Sequence, residues 1–152
     1  MPHTGVIDET LEGEKELLMR ARLHVAGGLN RFSEGTIADA IAAVYDAISS
    51  AMQRYVILDG VDHHLIRNEN EDISKDEILF RVLLKSGIFD DTTTQEDFDF
   101  IEQTLNDAFD NQLETFDETS FLEISFSILN QLGIPAEDLR MYSSSTSQSQ
   151  LQ

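Results

Sequence analysis

Apolar residues recur every three or four positions along most of the chain, which is the spacing of one face of an α-helix. Alternating apolar and polar runs, which are typical of strands, are scarce. The first predicted helix covers about residues 9–26 and ends at Gly27-Gly28, because consecutive glycines weaken a helix. The second predicted helix covers about residues 33–58, with Ser33 as its N-cap.

Three further helices follow a polar connection at residues 59–73. Ser74 is the predicted cap of a third helix over about residues 75–86, and the stretch DDTTTQEDF offers several caps for a fourth. A fifth helix is predicted over about residues 118–132. The pattern as a whole predicts an all-α, up-and-down bundle of four or five helices.

The length and the end of the chain set the predicted domain organisation. A chain of 152 residues with 41% hydrophobic content suits one domain with a real core. The Ser/Gln-rich end has no apolar periodicity, so we expect a single helical-bundle domain at residues 1–139 and a disordered tail at residues 140–152.

The stretch IADAIAAVYDAISSAMQRYV, residues 37–56, predicts the central helix of the bundle. On a helical wheel one face carries large apolar residues, namely Ile37, Ile41, Val44, Ile48, Met52 and Tyr55. Small residues along one margin allow a neighbouring helix to approach closely. Asp46 and Ser50 are expected to face water. Tyr45, about 100° away from Asp46, is expected to edge a packing seam against the first helix.

The fifth predicted helix has an unusually wide apolar arc. Beside its core stripe runs a second stripe made of Leu122, Phe126 and Leu129, at positions i, i+4 and i+7. Such an arc needs cover on two sides, either from another helix of the same bundle or from a second subunit. Under the second alternative these three residues form a self-association interface.

Charge narrows the range of partners. The net charge is −19, and residues 86–139 contain fourteen Asp and Glu but no Lys or Arg. Nucleic-acid affinity depends on cations that neutralise phosphates, so nucleic-acid binding is disfavoured. A basic-surfaced protein partner or a second copy of the chain is the expected partner.

Three further features of the sequence bear on the cellular compartment of the protein. The chain has no cysteine, its N-terminus lacks the basic and apolar regions of a signal peptide, and no apolar run approaches the roughly 18–20 residues that a membrane span needs. We therefore expect a cytoplasmic protein that does not bind membranes.

Motifs for metal or catalytic chemistry are weak or missing. His63-His64 lies among acidic residues, but adjacent histidines rarely chelate one ion, and no H-E-x-x-H occurs. Residues 91–102 resemble a calcium loop, yet Glu96 replaces the required glycine, so a capped helix start is the better interpretation. Phosphate-binding, dinucleotide-binding and nucleophile-elbow motifs are absent. We expect no catalytic residues, metal or cofactor.

The helix pair at residues 17–56 resembles the HEPN superfamily, whose small helical bundles often place an Ala-rich second helix with a central Tyr after a short turn. The residues that carry the likeness are Ala42, Ala43, Tyr45 and Ala47. Ribonuclease members of that family carry Arg and His separated by four to six residues. Here three residues separate Arg20 from His24 and eight separate Arg54 from His63, so the resemblance implies a non-catalytic member.

Two functional hypotheses follow from the sequence. The first is a non-enzymatic, acidic helical-bundle protein that acts in protein–protein interaction and self-associates. The alternative is a divergent HEPN-type ribonuclease or nucleotide-processing partner protein, with a site around Arg20, His24 or His63-His64.

Overall fold

A computed structural model of the chain describes residues 10–58 and 60–134. These residues contain five α-helices, a 3₁₀ turn at Asp62–His64 and no β-strand. The helices are α1 (Glu14–Glu34), α2 (Ile37–Ile57), α3 (Asp76–Lys85), α4 (Gln95–Phe109) and α5 (Glu118–Gln131). They pack on one another, so the predicted all-α bundle is confirmed. The predicted tail at residues 140–152 lies outside the described residues.

The bounds of α1 differ from the prediction at both ends. The helix starts at Glu14, after Gly13 with a φ of 63°, and it continues through Gly27-Gly28. It ends at Gly35, whose φ of 83° is left-handed and whose N–H reaches back to the Phe32 carbonyl. The predicted stop at Gly27-Gly28 is wrong because both glycines are buried in the bundle, where packing outweighs their low helix propensity.

The start of α2 is also displaced from the predicted position. Ser33 lies inside α1, and the N-cap of α2 is Thr36. Thr36 makes no side-chain capping bond, because its hydroxyl donates instead to the Arg31 carbonyl oxygen at 3.2 Å.

Helix α2 is the centre of the bundle and contacts each of the other four helices. Its most extensive contact is with α1, which confirms the predicted close helix pair. The predicted small margin is fully buried at Ala40, Ala47 and Ala51. Ser50 is only 9% exposed, so its predicted position towards water is wrong. A helix with neighbours on most sides buries more of its surface than one apolar stripe indicates.

The later helices begin at local capping signals. Thr94 and Asp97 form a capping box at the start of α4, in which each side chain accepts a bond from the backbone of the other. Asp117 caps α5 by accepting from the Ser120 N–H at 3.2 Å. The N-cap of α3 is Lys75 rather than Ser74, whose hydroxyl donates to Asp72.

Stacked aromatic rings join α3 to α4. The rings of Phe80 and Phe98 are parallel, with centroids 4.4 Å apart, and Phe89 stacks on Phe80 at 5.1 Å. Full burial of such a side chain stabilises a fold by about 1.5–3 kcal/mol. This stack joins α3 to the first half of α4, and Phe98 also contacts the ring of Tyr45 in the middle of α2.

Candidate functional site

Tyr45, at the middle of α2, faces α3 and α4. Its ring lies 6.3 Å from that of Phe98, and its hydroxyl lies close enough to the carboxylate of Asp76 to be influenced by its negative charge. The prediction that Tyr45 packs against the first helix is therefore wrong. Burial, followed by the negative charges of Asp76 and Glu102, raises the pKa of the Tyr45 hydroxyl well above its ordinary value.

Asp76 connects α3 to α2. It is the first residue of α3, where a carboxylate interacts favourably with the helix dipole. Its Oδ1 accepts a hydrogen bond from the Ser49 hydroxyl at 2.8 Å. Because Ser49 lies one helical turn after Tyr45, the two α2 side chains face Asp76 from the same side.

Asp46, the next residue of α2, is also influenced by the negative charge of the Asp76 carboxylate. Its side chain is exposed, as predicted. Partial desolvation and the charge of Asp76 raise the pKa of Asp46. Tyr45 and Asp46 therefore point in different directions, yet both come under the influence of Asp76.

Helix α4 adds carboxylates to this region. Desolvation, followed by the charges of Glu77, Asp99 and Asp76, raises the pKa of Glu102. Asp99 accepts a hydrogen bond from the Gln95 side-chain amide at 2.9 Å. We call the whole group the Tyr45 cluster; its members are Tyr45, Asp46, Asp76, Glu77, Asp99 and Glu102.

The Tyr45 cluster has no internal cation. Ion pairs elsewhere in the described part of the chain join Arg20 to Glu16, Arg54 to Glu14, and Lys85 to Glu71. Within residues 10–58 and 60–134, no carboxylate of the cluster pairs with Lys, Arg or His. Like charges held together without a counter-charge create a negative potential that attracts a cation from outside the chain.

The geometry of the cluster favours binding over catalysis. A tyrosine whose pKa is raised is a poor base and a poor nucleophile near neutral pH. Among the described residues, no three His, Cys, Asp or Glu side chains are arranged to hold a metal ion. The carboxylates of the cluster can attract positive groups electrostatically.

The residues of the hypothetical ribonuclease site differ in their exposure to solvent. Arg20 is exposed and paired with Glu16 at 2.9 Å, whereas His24, one turn later, is only 9% exposed. His63 and His64 are exposed in the 3₁₀ turn. A shared site for Arg20 and His24 would need His24 to reach solvent.

The three residues of the predicted interface on α5 fall into two groups. Leu129 is fully buried in the core of the chain, so at this position the intrachain alternative holds. Leu122 and Phe126 are partly buried and pack against the edge of the core. Only these two retain surface that a second subunit can contact.

Comparison of the chain with protein-family models, curated proteins and solved structures returned no match. In the described part of the chain, no helix combines the length and apolar character needed to cross a membrane.

Sequence reasoning identified Tyr45 and Asp46 as notable but missed Asp76 and Glu102. The signal available for Asp76 was its place in the acidic first turn of the third predicted helix. Glu102 was the only charged residue in the helical stripe that Phe98, Ile101 and Leu105 form on the fourth predicted helix. Neither signal indicates that the two carboxylates lie near Tyr45, because that depends on how the helices pack.

Proposed function

We propose that this protein is a non-enzymatic interaction module that binds a basic surface of another protein through the Tyr45 cluster. The observation that supports the proposal is that carboxylates of α2, α3 and α4 influence one another electrostatically, while none of the cluster's carboxylates forms an ion pair with a cation among the described residues.

A positively charged partner lowers the electrostatic cost of this arrangement. Lys or Arg side chains brought to the cluster replace repulsion between carboxylates by attraction, and complementary charge also accelerates association. A nucleic acid would add further negative charge, so a protein partner fits the cluster better.

Binding of a defined cationic probe tests the proposal. We expect a fluorescein-labelled peptide of alternating Arg and Ser to bind the wild-type chain in an anisotropy titration, with affinity that falls as salt is raised. Neutralising the cluster in the triple variant Asp46→Asn/Glu77→Gln/Glu102→Gln should weaken binding about tenfold, which corresponds to about 1.4 kcal/mol.

A matched variant separates the cluster from the overall charge. Glu12→Gln/Glu69→Gln/Glu123→Gln changes net charge by the same amount at three exposed positions, and it should weaken binding less than threefold. Equal weakening by the two triple variants, or no binding by the wild type, would contradict the proposal.

Self-association through α5 is a second candidate function, supported by the partly exposed pair Leu122 and Phe126. Sedimentation velocity of the wild type should show a dimer, and Phe126→Asp should shift it to a monomer with unchanged helical circular dichroism. Exposed Glu123→Ala is the control, and it should leave the dimer intact. A monomeric wild type, or an unfolded Phe126→Asp variant, would remove the interface hypothesis.

The HEPN resemblance and the cytoplasmic location stay predictions. Incubation with RNA, with and without divalent metal, tests the ribonuclease alternative. Cleavage that His24→Ala abolishes in an otherwise folded protein would replace the interaction proposal by an enzymatic one.

A further inference from the structure

A small groove lies between α4 and the loop that follows it. The α4 helix ends because Asn111 adopts a left-handed φ of 56°, and the Gln112 N–H then bonds back to the Asp107 carbonyl at 2.8 Å. This turn sends residues 112–117 back along the side of α4 until Asp117 caps α5. The groove is the space left between the helix and this returning loop.

The lining of the groove combines aromatic and acidic groups. Phe100, Leu113 and Phe116 supply partly buried apolar surface, and Gln103 and Asp107 supply polar groups. The volume is about 180 Å³, below the roughly 300 Å³ at which pockets for drug-sized ligands begin. The groove therefore suits a single side chain rather than a nucleotide or cofactor.

The charges around the groove favour a cation. Asp107 lies in the last turn of α4, where the helix dipole is negative, and that turn contains no basic residue. The Gln103 side-chain amide donates to Asp107 Oδ1 at 2.8 Å, which leaves the other carboxylate oxygen for a ligand. Each carboxylate oxygen of Asp117 already accepts a hydrogen bond, one from the Ser120 N–H and one from the Ser120 hydroxyl, so Asp117 is less suited than Asp107 to bind a ligand.

We infer that this groove binds an arginine side chain of the basic partner, with its guanidinium against the Phe100 ring and bonded to Asp107. The inference rests on the proposed function and names the residue type that is recognised. Arginine fits better than lysine because a planar guanidinium stacks on aromatic rings and presents a fork of donors to a carboxylate.

The groove and the Tyr45 cluster lie on the two margins of the outer face of α4. Asp99 and Glu102 belong to the cluster, while Phe100, Gln103 and Asp107 line the groove. One partner segment that crosses α4 can therefore place one cation at each position.

Amide chemical-shift mapping on the ¹⁵N-labelled full chain tests the inference. The probes are N-acetyl-arginine methylamide and its neutral analogue, N-acetyl-citrulline methylamide, each titrated to about 20 mM at constant ionic strength. Arginine should give saturable shifts concentrated at Gln103 and residues 112–117, and citrulline should give none there.

Variants locate the binding group. Asp107→Asn should weaken arginine binding about three- to fivefold, the effect of losing one partly exposed ion pair. Asp110→Asn removes the same charge from an exposed residue outside the groove lining and should change affinity less than 1.5-fold. Phe100→Leu keeps apolar volume, and it should also weaken arginine binding; it replaces Asp107→Asn as the test if that variant does not fold.

The outcomes separate the groove from the cluster. Equal shifts from arginine and citrulline, or wild-type affinity in both groove variants, would overturn the groove inference while the Arg/Ser peptide still binds and the proposed function stands. If arginine shifts only amides around Tyr45, the groove inference also fails. If neither arginine nor the peptide binds the wild type, both proposals fail.

Discussion

Gly28 lies in the interior of α1, where its lack of a side chain lets α2 approach closely. A Cβ atom at this position would lie 2.8 Å from Val44 Cγ2 and 3.3 Å from the Ala40 carbonyl oxygen. Val44 is fully buried and β-branched, so its side chain has little freedom to move away. The glycine is therefore a packing residue, and the contact that explains it lies on another helix.

Gly28→Ala is expected to destabilise the protein. Alanine improves helix propensity by about 1 kcal/mol, but forcing a methyl group into a filled contact costs typically 1–3 kcal/mol. We expect a net loss of about 1 kcal/mol in the free energy of unfolding, measured by urea titration.

A double-mutant cycle provides the control. In a Val44→Ala background the clashing methyl group is gone and the 3.3 Å backbone contact remains, so Gly28→Ala should cost less than in the wild type. A stabilising effect of Gly28→Ala in the wild-type background would contradict the close approach.

Helix ends show which structural signals are local. The Thr94–Asp97 capping box and the Asp117 cap depend on residues within one turn of each other. The sequence predicts the start of α5 at its observed residue, and it limits the cap of α4 to the stretch DDTTTQEDF, which contains Thr94. The predicted end of α1 was wrong because glycine occurs both at Gly27-Gly28 and at Gly35, and residue type alone does not show which position ends the helix. Only the path of α2 decides which of them lies in a helix.

Gly35→Ala tests the turn that ends α1. Because the left-handed conformation at this residue is unfavourable for alanine, the variant should lose about 1–2 kcal/mol of unfolding free energy. Gly35→Asn should lose less, since asparagine tolerates that conformation better. Urea titrations of the two variants check the order, and equal losses would indicate that backbone conformation is not the cause.

At the scale of the whole molecule, the sequence predicts the core better than the site. Periodicity places the α2 seam correctly, because each helix repeats its apolar positions many times. The Tyr45 cluster joins residues 45 and 46 to residues 76, 77, 99 and 102, and each of these carboxylates is ordinary in its own helix. Their proximity follows from the stacking of Phe80 on Phe98, which periodicity does not specify.

Two groups of carboxylates respond to pH in opposite directions. Hydrogen bonds from the hydroxyls of Ser74, Thr92 and Ser120 lower the pKa of Asp72, Asp90 and Asp117. These three aspartates stabilise the fold above the unfolded value near pH 4, and the stabilisation is lost as pH falls through the folded pKa. Asp46 and Glu102 have raised pKa values, so their contribution is greatest below about pH 4 and declines as pH rises through the folded pKa.

Because the two groups respond in opposite directions, we expect stability to be greatest at mildly acidic pH. Glu102→Gln tests how much the Tyr45 cluster contributes to this pH dependence. At pH 7 the Glu102 carboxylate adds a negative charge beside Glu77, Asp99 and Asp76, so removing it should raise Tm by about 1–2 °C, as expected for a partly exposed charge. Because the pKa of Glu102 is raised, the wild type loses this charge at a higher pH than an ordinary glutamate, and the difference in Tm should shrink as pH falls towards 4. Exposed Glu123→Gln should shift Tm little at either pH.

A Glu102→Gln effect of the same size at both pH values, or a lower Tm at pH 7, would show that repulsion within the cluster does not limit stability. In that case the main electrostatic reason for a cationic partner at α2, α3 and α4 would be lost.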